Sequence, residues 1–357
     1  MSRTLKIRMG ELFSGPGGIA CGADMATSAS KEYANITLEH VWANDIDPNA
    51  CATYRRNIRI PPENVLCMDV NSIDISSLPP INALAFGFPC NDFSIIGKQR
   101  GITGDYGPLY GFGVRALSYL RPEWFLAENV NGLMTANDGV ALDYILDDLF
   151  DTGYDLFPHL YCFEEYGVPQ MRHRIIIVGI RSDLHKTFKV PKPSGEIISC
   201  RQAIENPPIP NDATNNEKTK QSRTVIERLK HTRQGENAFT ADLPEELRLH
   251  VKGAKLSQIY KRLEEDRPAY TLTGSGGGGT HMYHWSEPRA LTNRERARIQ
   301  TFPDSYVFEG SKEEVRRQIG MAVPPKGASV IFESIFKTML DIDYNSIEPS
   351  LGARLHR

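Results

Sequence analysis

In the first 185 residues the apolar positions switch repeatedly between a period of two and a period near 3.6. IRMGELFS (7–14) reads as a short strand, and GPGGIACGADMA (15–26) as a glycine turn opening a helix. HVWANDI (40–46) is a second strand. PNACATYRRN (48–57) begins a helix with Pro48 near its first position, where no N–H is needed. VLCMDV (65–70), NALAFGF (82–88) and WFLAENV (124–130) give three further strands. Leu142, Ile145, Leu146 and Leu149 repeat at i, i+3, i+4 and i+7, which predicts an amphipathic helix over 139–150. HLYCFEEYG (159–167) and RHRIIIVGI (172–180) complete the series. Alternation of this kind predicts an α/β fold: a doubly wound, mostly parallel sheet with helices on both faces.

The pattern stops near residue 182. From 190 to 290 the chain is polar and rich in Pro, Asn, Lys and Arg, with one low-complexity run, TGSGGGGTHM (273–282). This shift predicts a second, smaller domain. Thr292 followed by Glu295 forms a capping box before the helix NRERARIQTF (293–302). A last helix, 326–340, carries Ile331, Ile335 and Met339 on one stripe with Phe332 and Phe336 beside it, and is expected to return to cover the first sheet. The resulting division is 1–185, completed by 313–357, as the first domain and 186–312 as the second.

Charge adds a direction to this division. The chain of 357 residues has a net charge of −3. Residues 1–185 hold 14 Lys+Arg against 22 Asp+Glu, whereas 186–300 hold 20 against 14. A basic middle joined to an acidic front points to a polyanionic partner for the middle. No stretch approaches the roughly 20 apolar residues of a membrane span. The first residues lack the apolar core of a signal peptide, so a cytoplasmic, nucleoid-associated location is expected. Six scattered cysteines without a CxxC pair read as free thiols. His281 and His284 have no further ligands at zinc spacing, so no metal is expected.

The strand ends carry the chemistry. Gly15, Gly17 and Gly18 in FSGPGGIACG (13–22) let the backbone approach a nucleotide-like ligand, but they match neither GxGxxG nor a P-loop. Asp45 ends the second strand and can accept from ribose hydroxyls; Asp69 ends the third and can accept from an adenine amine. Each could equally be a helix-capping or turn aspartate. Cys90 follows Pro89 at the end of the fourth strand, ahead of a long glycine-rich loop of the kind that is usually functional. Glu128 ends the fifth strand, where partial burial favours a proton donor. Gln170, Arg172 and Arg174 alternate, so a strand would place them on one face. A thiolate, a carboxylic acid and guanidiniums together suit addition to an electron-poor ring. Carbon 5 of cytosine is too weak a nucleophile to take a methyl group directly. Thiolate addition at carbon 6, with an acid at N3 and a guanidinium at the 2-carbonyl, makes it one.

The ordered set FSGPGG, NDID, MDV, GFPCNDFS, ENV, QMRHR, RALTNRERARIQTFPDSY and GMAVPP resembles the C5-cytosine DNA methyltransferase family of bacterial restriction–modification systems. The resemblance covers about 320 residues and implies a Rossmann-like, S-adenosylmethionine-dependent methyltransferase sheet with a target-recognition domain. It implies Cys90 as nucleophile, Glu128 at N3, and Arg172 and Arg174 around the flipped base and its phosphates. It implies a cofactor pocket of Phe13, Gly15, Gly17, Gly18, Asp45, Ile46, Asp69, Val70 and Pro89, with Leu109 and Ala322 more loosely. Phe13 and Ile46 would flank the adenine. DNA contacts are expected from Ser94, Lys98 and Arg100 after the nucleophile and from the basic stretch 223–285, with Arg233, Gly276, Gly277, Gly278 and Thr280; the glycine run 274–279 could equally be a surface loop. The partner is double-stranded DNA, with a cognate restriction endonuclease as functional counterpart and a monomer as the default state. Asn91 stands where glutamine is usual, Met321 where asparagine is usual, and the loop reads GDYGPLY without the arginine often found there.

Competing readings are methylation of structured RNA, a DNA-binding regulator without catalysis, a nicotinamide oxidoreductase and an exocyclic-amine methyltransferase. The long basic region disfavours RNA. The intact cysteine, glutamate and arginines disfavour a regulator. The GxGG turn and Pro-Cys disfavour the oxidoreductase, and the absence of [DNS]PPY at the fourth strand disfavours the amine enzyme.

Overall fold

A computed structural model describes residues 4–88, 109–250, 257–274 and 278–356. The chain divides into two compact units: 1–162 with 173–193 and 325–357, and 163–172 with 194–324.

In the first unit, strands β1 (Thr4–Leu12), β2 (Asn35–Asp45), β3 (Val65–Cys67), β4 (Ala83–Gly87), β5 (Trp124–Val130), β6 (Tyr154–Cys162) and β8 (His173–Arg181) form one sheet. The two-residue strand Gln170–Met171 is β7. The sheet order is β3-β2-β1-β4-β5-β8-β6, with β8 antiparallel to both neighbours and the other pairings parallel. Side chains alternate across the sheet. Leu84, Phe86, Phe125 and Ala127 face a core shared with α3 (Tyr110–Leu120) and α4 (Val140–Phe150). Trp124 points the other way and meets Phe332 edge-on at 5.9 Å, on the helix Pro325–Met339. That helix packs on α1 (Gly18–Ala29). A Cβ on Gly22 would stand 2.5 Å from the Ala328 Cβ, so only glycine permits this approach.

Leu142, Ile145, Leu146 and Leu149 are all buried, as their spacing predicts. α2 (Pro48–Asn57) has Pro48 in its first turn and takes Asp47 as its N-cap. α3 is absent from the sequence-derived pattern, in which the glycine-rich loop after Cys90 runs to Gly111. A Cβ on Gly113 would lie 2.7 Å from the Phe86 ring, so this glycine serves helix–sheet packing. The third strand is shorter than expected, ending at Cys67, and FEEY (163–166) leaves the sixth strand as a 3-10 turn.

The second unit has little regular structure: helices Cys200–Glu205, Arg223–His231, Asn293–Ile299 and Lys312–Met321, and a parallel pairing of Ala269–Tyr270 with β7. The Thr292–Glu295 capping box is present, but its helix stops at Ile299. Two small apolar clusters, one around Cys200, Leu272 and Trp285 and one around Leu229, Tyr260 and Tyr283, form the interior. Loop carbonyls in such an interior need donors, and buried arginines supply them. Arg262 donates to the carbonyls of Leu229, Thr232, His284 and Glu287. Arg294 donates to those of Thr214, Pro303 and Tyr306. Part of the positive charge counted for this region is therefore internal rather than facing a partner. No helix of the described residues is long and apolar enough to cross a membrane.

Candidate functional site

The glycine turn after β1 is built by backbone conformation. Phe13 and Gly15 both have φ of 54°, and Gly17 has φ of 90°. A Cβ on Gly15 would meet nothing within 4 Å, so open space lies over the turn and the glycine is required by its left-handed φ. Gly18 begins α1. The Gly15 N–H donates to Asp45 Oδ2 at 2.7 Å, and the Asp47 N–H to Asp45 Oδ1 at 2.9 Å. Asp45 therefore fastens the turn to the end of β2, and Asp47, not Asp45, caps the following helix. Burial raises the Asp45 carboxyl above its usual range against the opposing pull of these N–H donors. Each carboxylate oxygen has a second lone pair for a ribose hydroxyl.

Ile46, just beyond Asp45, is 69% exposed, an unusual setting for a large apolar side chain at a strand end and suited to an aromatic ligand face. Asp69 is exposed and accepts from the Asn71 backbone and side chain, so its turn-capping role is real; Val70 behind it is buried. Leu109 precedes α3 and packs against the sheet core. Phe13, Gly15, Asp45, Ile46 and Asp69 thus gather at the ends of β1, β2 and β3, with a donor and acceptor set that fits an adenosine-bearing cofactor. Ala322 lies in the second unit, where its carbonyl accepts from Arg172 at 2.9 Å.

Two residues absent from the sequence reading complete this end of the sheet. Asn44 is buried, and its amide donates to the carbonyls of Leu66 and Met68 at 2.8 and 2.9 Å, tying β2 to the segment that carries Asp69. Glu11 on β1 is buried, accepts from the Tyr54 hydroxyl at 2.9 Å, and is pushed up to about 8 by burial.

The β4 and β5 ends form the second half of the site. Gly87 sits directly opposite Glu128 in the parallel register. A Cβ there would stand 3.2 Å from Glu128 Oε2, so the glycine leaves room for the carboxylate. Arg174 on β8 faces Val130, one diagonal step from Glu128, and its Nε lies 2.8 Å from Glu128 Oε1 in a mostly buried ion pair. Asn129 is buried; its amide donates to the Phe88 carbonyl at 3.0 Å and its Oδ1 accepts from the Val130 N–H at 2.8 Å. The side chain next to Glu128 therefore grips the chain two residues before Cys90. Pro89, Cys90, Ser94, Lys98 and Arg100 lie outside the described residues.

QMRHR does not run as one strand. It breaks between β7 and β8, which places Arg172 in the gap, in the second unit, and Arg174 in the first. The Arg172 guanidinium is fully buried and donates to the carbonyls of Leu272 at 3.0 Å and Ala322 at 2.9 Å. Gln170 beside it accepts from the Leu272 N–H at 2.8 Å and donates to Gln300.

In the recognition region Arg233 is exposed, while Arg228 donates to the Leu247 carbonyl at 2.7 Å and stacks over Tyr260 at 5.3 Å. Gly278 and Thr280 belong to a 3-10 turn whose Gly279 carbonyl accepts from Tyr260 at 2.7 Å. Gly276 and Gly277 lie outside the described residues.

The family described as C-5 cytosine-specific DNA methylase matches residues 7–337. The Type II methyltransferase M.BbvI of Brevibacillus brevis is 54% identical over 96% of this chain and 94% of its own. M.NgoFVII of Neisseria gonorrhoeae is 40% identical over 97% and 91%. Among solved structures, the S. pombe Dnmt2 methyltransferase superposes with a TM-score of 0.62 at 19% identity, covering 94% of this chain and 100% of that one; at that identity the likeness concerns the fold.

Proposed function

The chain belongs to the C-5 cytosine-specific DNA methylase family and is a DNA (cytosine-5-)-methyltransferase of the Type II kind, and from that premise we propose that it works through a covalent bond from Cys90 to a flipped-out cytosine. A cytosine stacked in a duplex cannot be reached at carbon 5, so the base must leave the helix. The Cys90 thiolate adds to carbon 6, and the ring electrons move toward carbon 5. Glu128 binds N3 through its carboxyl group and withdraws charge from the ring as the bond forms. Arg174 holds Glu128 in place and supplies positive charge beside it. After methylation a solvent water takes the carbon 5 proton, and the C–H electron pair re-forms the carbon 5–carbon 6 double bond as the carbon 6–sulfur bond breaks and Cys90 leaves as the thiolate. Phe13, Gly15, Asp45, Ile46 and Asp69 would hold S-adenosylmethionine, which would supply the electrophilic methyl group and leave as S-adenosylhomocysteine. The second unit reads the DNA sequence, and the methylation protects host DNA from a cognate restriction endonuclease.

The observation that carries this reading is the arrangement at the β4 and β5 ends: Glu128 paired to Arg174 and facing Gly87, with Asn129 gripping the Phe88 carbonyl. A duplex carrying 5-fluorocytosine tests it, because the fluorine cannot leave as a proton does and the adduct persists. Wild type should give a DNA-linked band on a denaturing gel, and Cys90→Ala should give neither band nor methylation. Methyl transfer by Cys90→Ala would overturn the proposal. Sequencing methylated cytosines in DNA from cells carrying the gene, with digestion by a Type II endonuclease of matching site, tests the protective role.

A further inference from the structure

Four arginines of the second unit are almost wholly buried: Arg172, Arg262, Arg294 and Arg296, at 1, 6, 0 and 4% exposure. The first three have guanidinium donors on backbone carbonyls. Arg296 differs. Among the described residues its side chain makes no hydrogen bond or ion pair, and its Nη2 is fully sequestered without an acceptor. The carboxylate next to it in sequence, Glu295, is already engaged by both terminal nitrogens of Arg289, at 2.7 and 2.8 Å, and by the Thr292 N–H at 2.8 Å. A buried guanidinium with no counter-charge is among the more costly arrangements a fold can keep.

Arg296 lines a cleft of about 540 Å³ within this unit, together with Arg316, Tyr270, Thr271 and Gln258. Among the described residues the buried Arg316 Nε has no acceptor, and its Nη1 lies 3.3 Å from His281 Nδ1. Burial and the two guanidiniums push His281 down to about 4, so the imidazole is neutral and adds no compensating charge. Burial and Arg316 likewise lower Arg296, to about 10, which still leaves it a cation at neutral pH. Among the described residues no carboxylate lines the cleft. Two cations with spare donors, bordered by neutral hydroxyl and amide groups, are complementary to an oxyanion.

We propose that this cleft takes a phosphate group of the DNA backbone, with Arg296 and Arg316 as its donors. The volume favours a phosphodiester over a free ion, because a lone phosphate would leave most of the cleft unfilled, whereas a sugar–phosphate segment would occupy it. The inference rests on the DNA-reading role proposed above for this unit. It adds that one phosphate contact is made by an interior arginine, not by the exposed Arg233.

The test measures duplex binding against salt concentration for wild type, Arg296→Met and Arg296→Lys, with thermal midpoints of the free proteins. Each phosphate neutralised contributes about 0.9 to the slope of log affinity against log salt. Arg296→Met should flatten the slope by about that amount and weaken binding at least tenfold at low salt. Its free form should melt a few degrees higher than wild type, because an uncompensated buried charge is gone. Arg296→Lys should keep the slope. An unchanged slope and affinity in Arg296→Met would overturn the inference, as would a lower free-protein midpoint, which would reveal a structural partner. If millimolar inorganic phosphate raises the wild-type midpoint over chloride at matched ionic strength while the DNA slope is the same in all three proteins, the occupant is a free oxyanion and the backbone assignment falls. A wild type that binds DNA but transfers no methyl group would sink the function proposed above and leave this assay readable.

Discussion

Replacing Asn129 by alanine should cripple adduct formation while leaving cofactor binding intact. The Asn129 amide is the described link between the end of β5 and the chain entering Pro89-Cys90, through the Phe88 carbonyl at 3.0 Å. Its Oδ1 takes the Val130 N–H at 2.8 Å. Alanine removes both hydrogen bonds from a buried place. At about 1 kcal/mol for an ordinary net bond, and up to about 3 kcal/mol where a buried group is left bare, the loss is roughly 2–4 kcal/mol. Part of that appears as a lower melting midpoint. The rest appears as freedom at a strand end where a displacement of about 1 Å costs roughly 100-fold in rate. The assay is the rate of covalent adduct formation on 5-fluorocytosine DNA under single turnover, paired with calorimetry for S-adenosylmethionine. The adduct rate should fall by about 30- to 300-fold, with cofactor affinity within threefold of wild type. Asn129→Asp sharpens the case. It keeps the acceptor for Val130 but sets a carboxylate oxygen against the Phe88 carbonyl, so it should be no better than alanine despite its near-identical shape. A wild-type adduct rate in either variant would refute the reasoning.

The sheet and the strand-end placement of several candidate residues were legible because both depend on local periodicity. The β–α alternation matches the order of elements, and Gly15, Asp45 and Glu128 stand at or near the ends of β1, β2 and β5. What stayed hidden was tertiary. Asn44 and Asn129 act by reaching carbonyls on a neighbouring strand end, 24 and 41 residues away at most. Nothing local distinguishes them from turn asparagines, although a buried asparagine beside a strand-end acid, as in NDID and ENV, is a usable signal. The packing role of Gly113 is visible only once the Phe86 ring is placed beside it. The strand period applied to QMRHR put Arg172 and Arg174 on one face, but the chain changes unit between them, and a period holds only while the strand continues. Net charge also misled in part. Arg262 and Arg294 count toward a basic region yet bond interior carbonyls, since a unit poor in helices and strands must satisfy its loops by side chains.

Three further outcomes follow from the site. Arg174→Ala removes one partner of a mostly buried ion pair, so stability should fall by about 3–5 kcal/mol; a double-mutant cycle with Glu128→Gln should show strong coupling, and additive losses would deny the pair. Asp45→Ala should weaken S-adenosylmethionine binding at least tenfold by calorimetry while duplex affinity holds; an unchanged cofactor affinity would remove Asp45 from the pocket. Glu11 gives a pH signature. Its carboxyl is raised to about 8 in the folded chain against 4.5 as the unperturbed value. The folded state therefore holds a proton that the unfolded state releases between those limits. Stability must fall as pH rises from 4.5 toward 8 and level off above, by at most about 1.4 kcal/mol per pH unit for this one group. Glu11→Gln keeps an acceptor for Tyr54 and cannot ionise, so its advantage over wild type should be small near pH 5, grow to pH 8 and then stay constant. Melting curves of the two proteins that run parallel across this range would show that Glu11 titrates normally and that its burial has another compensation.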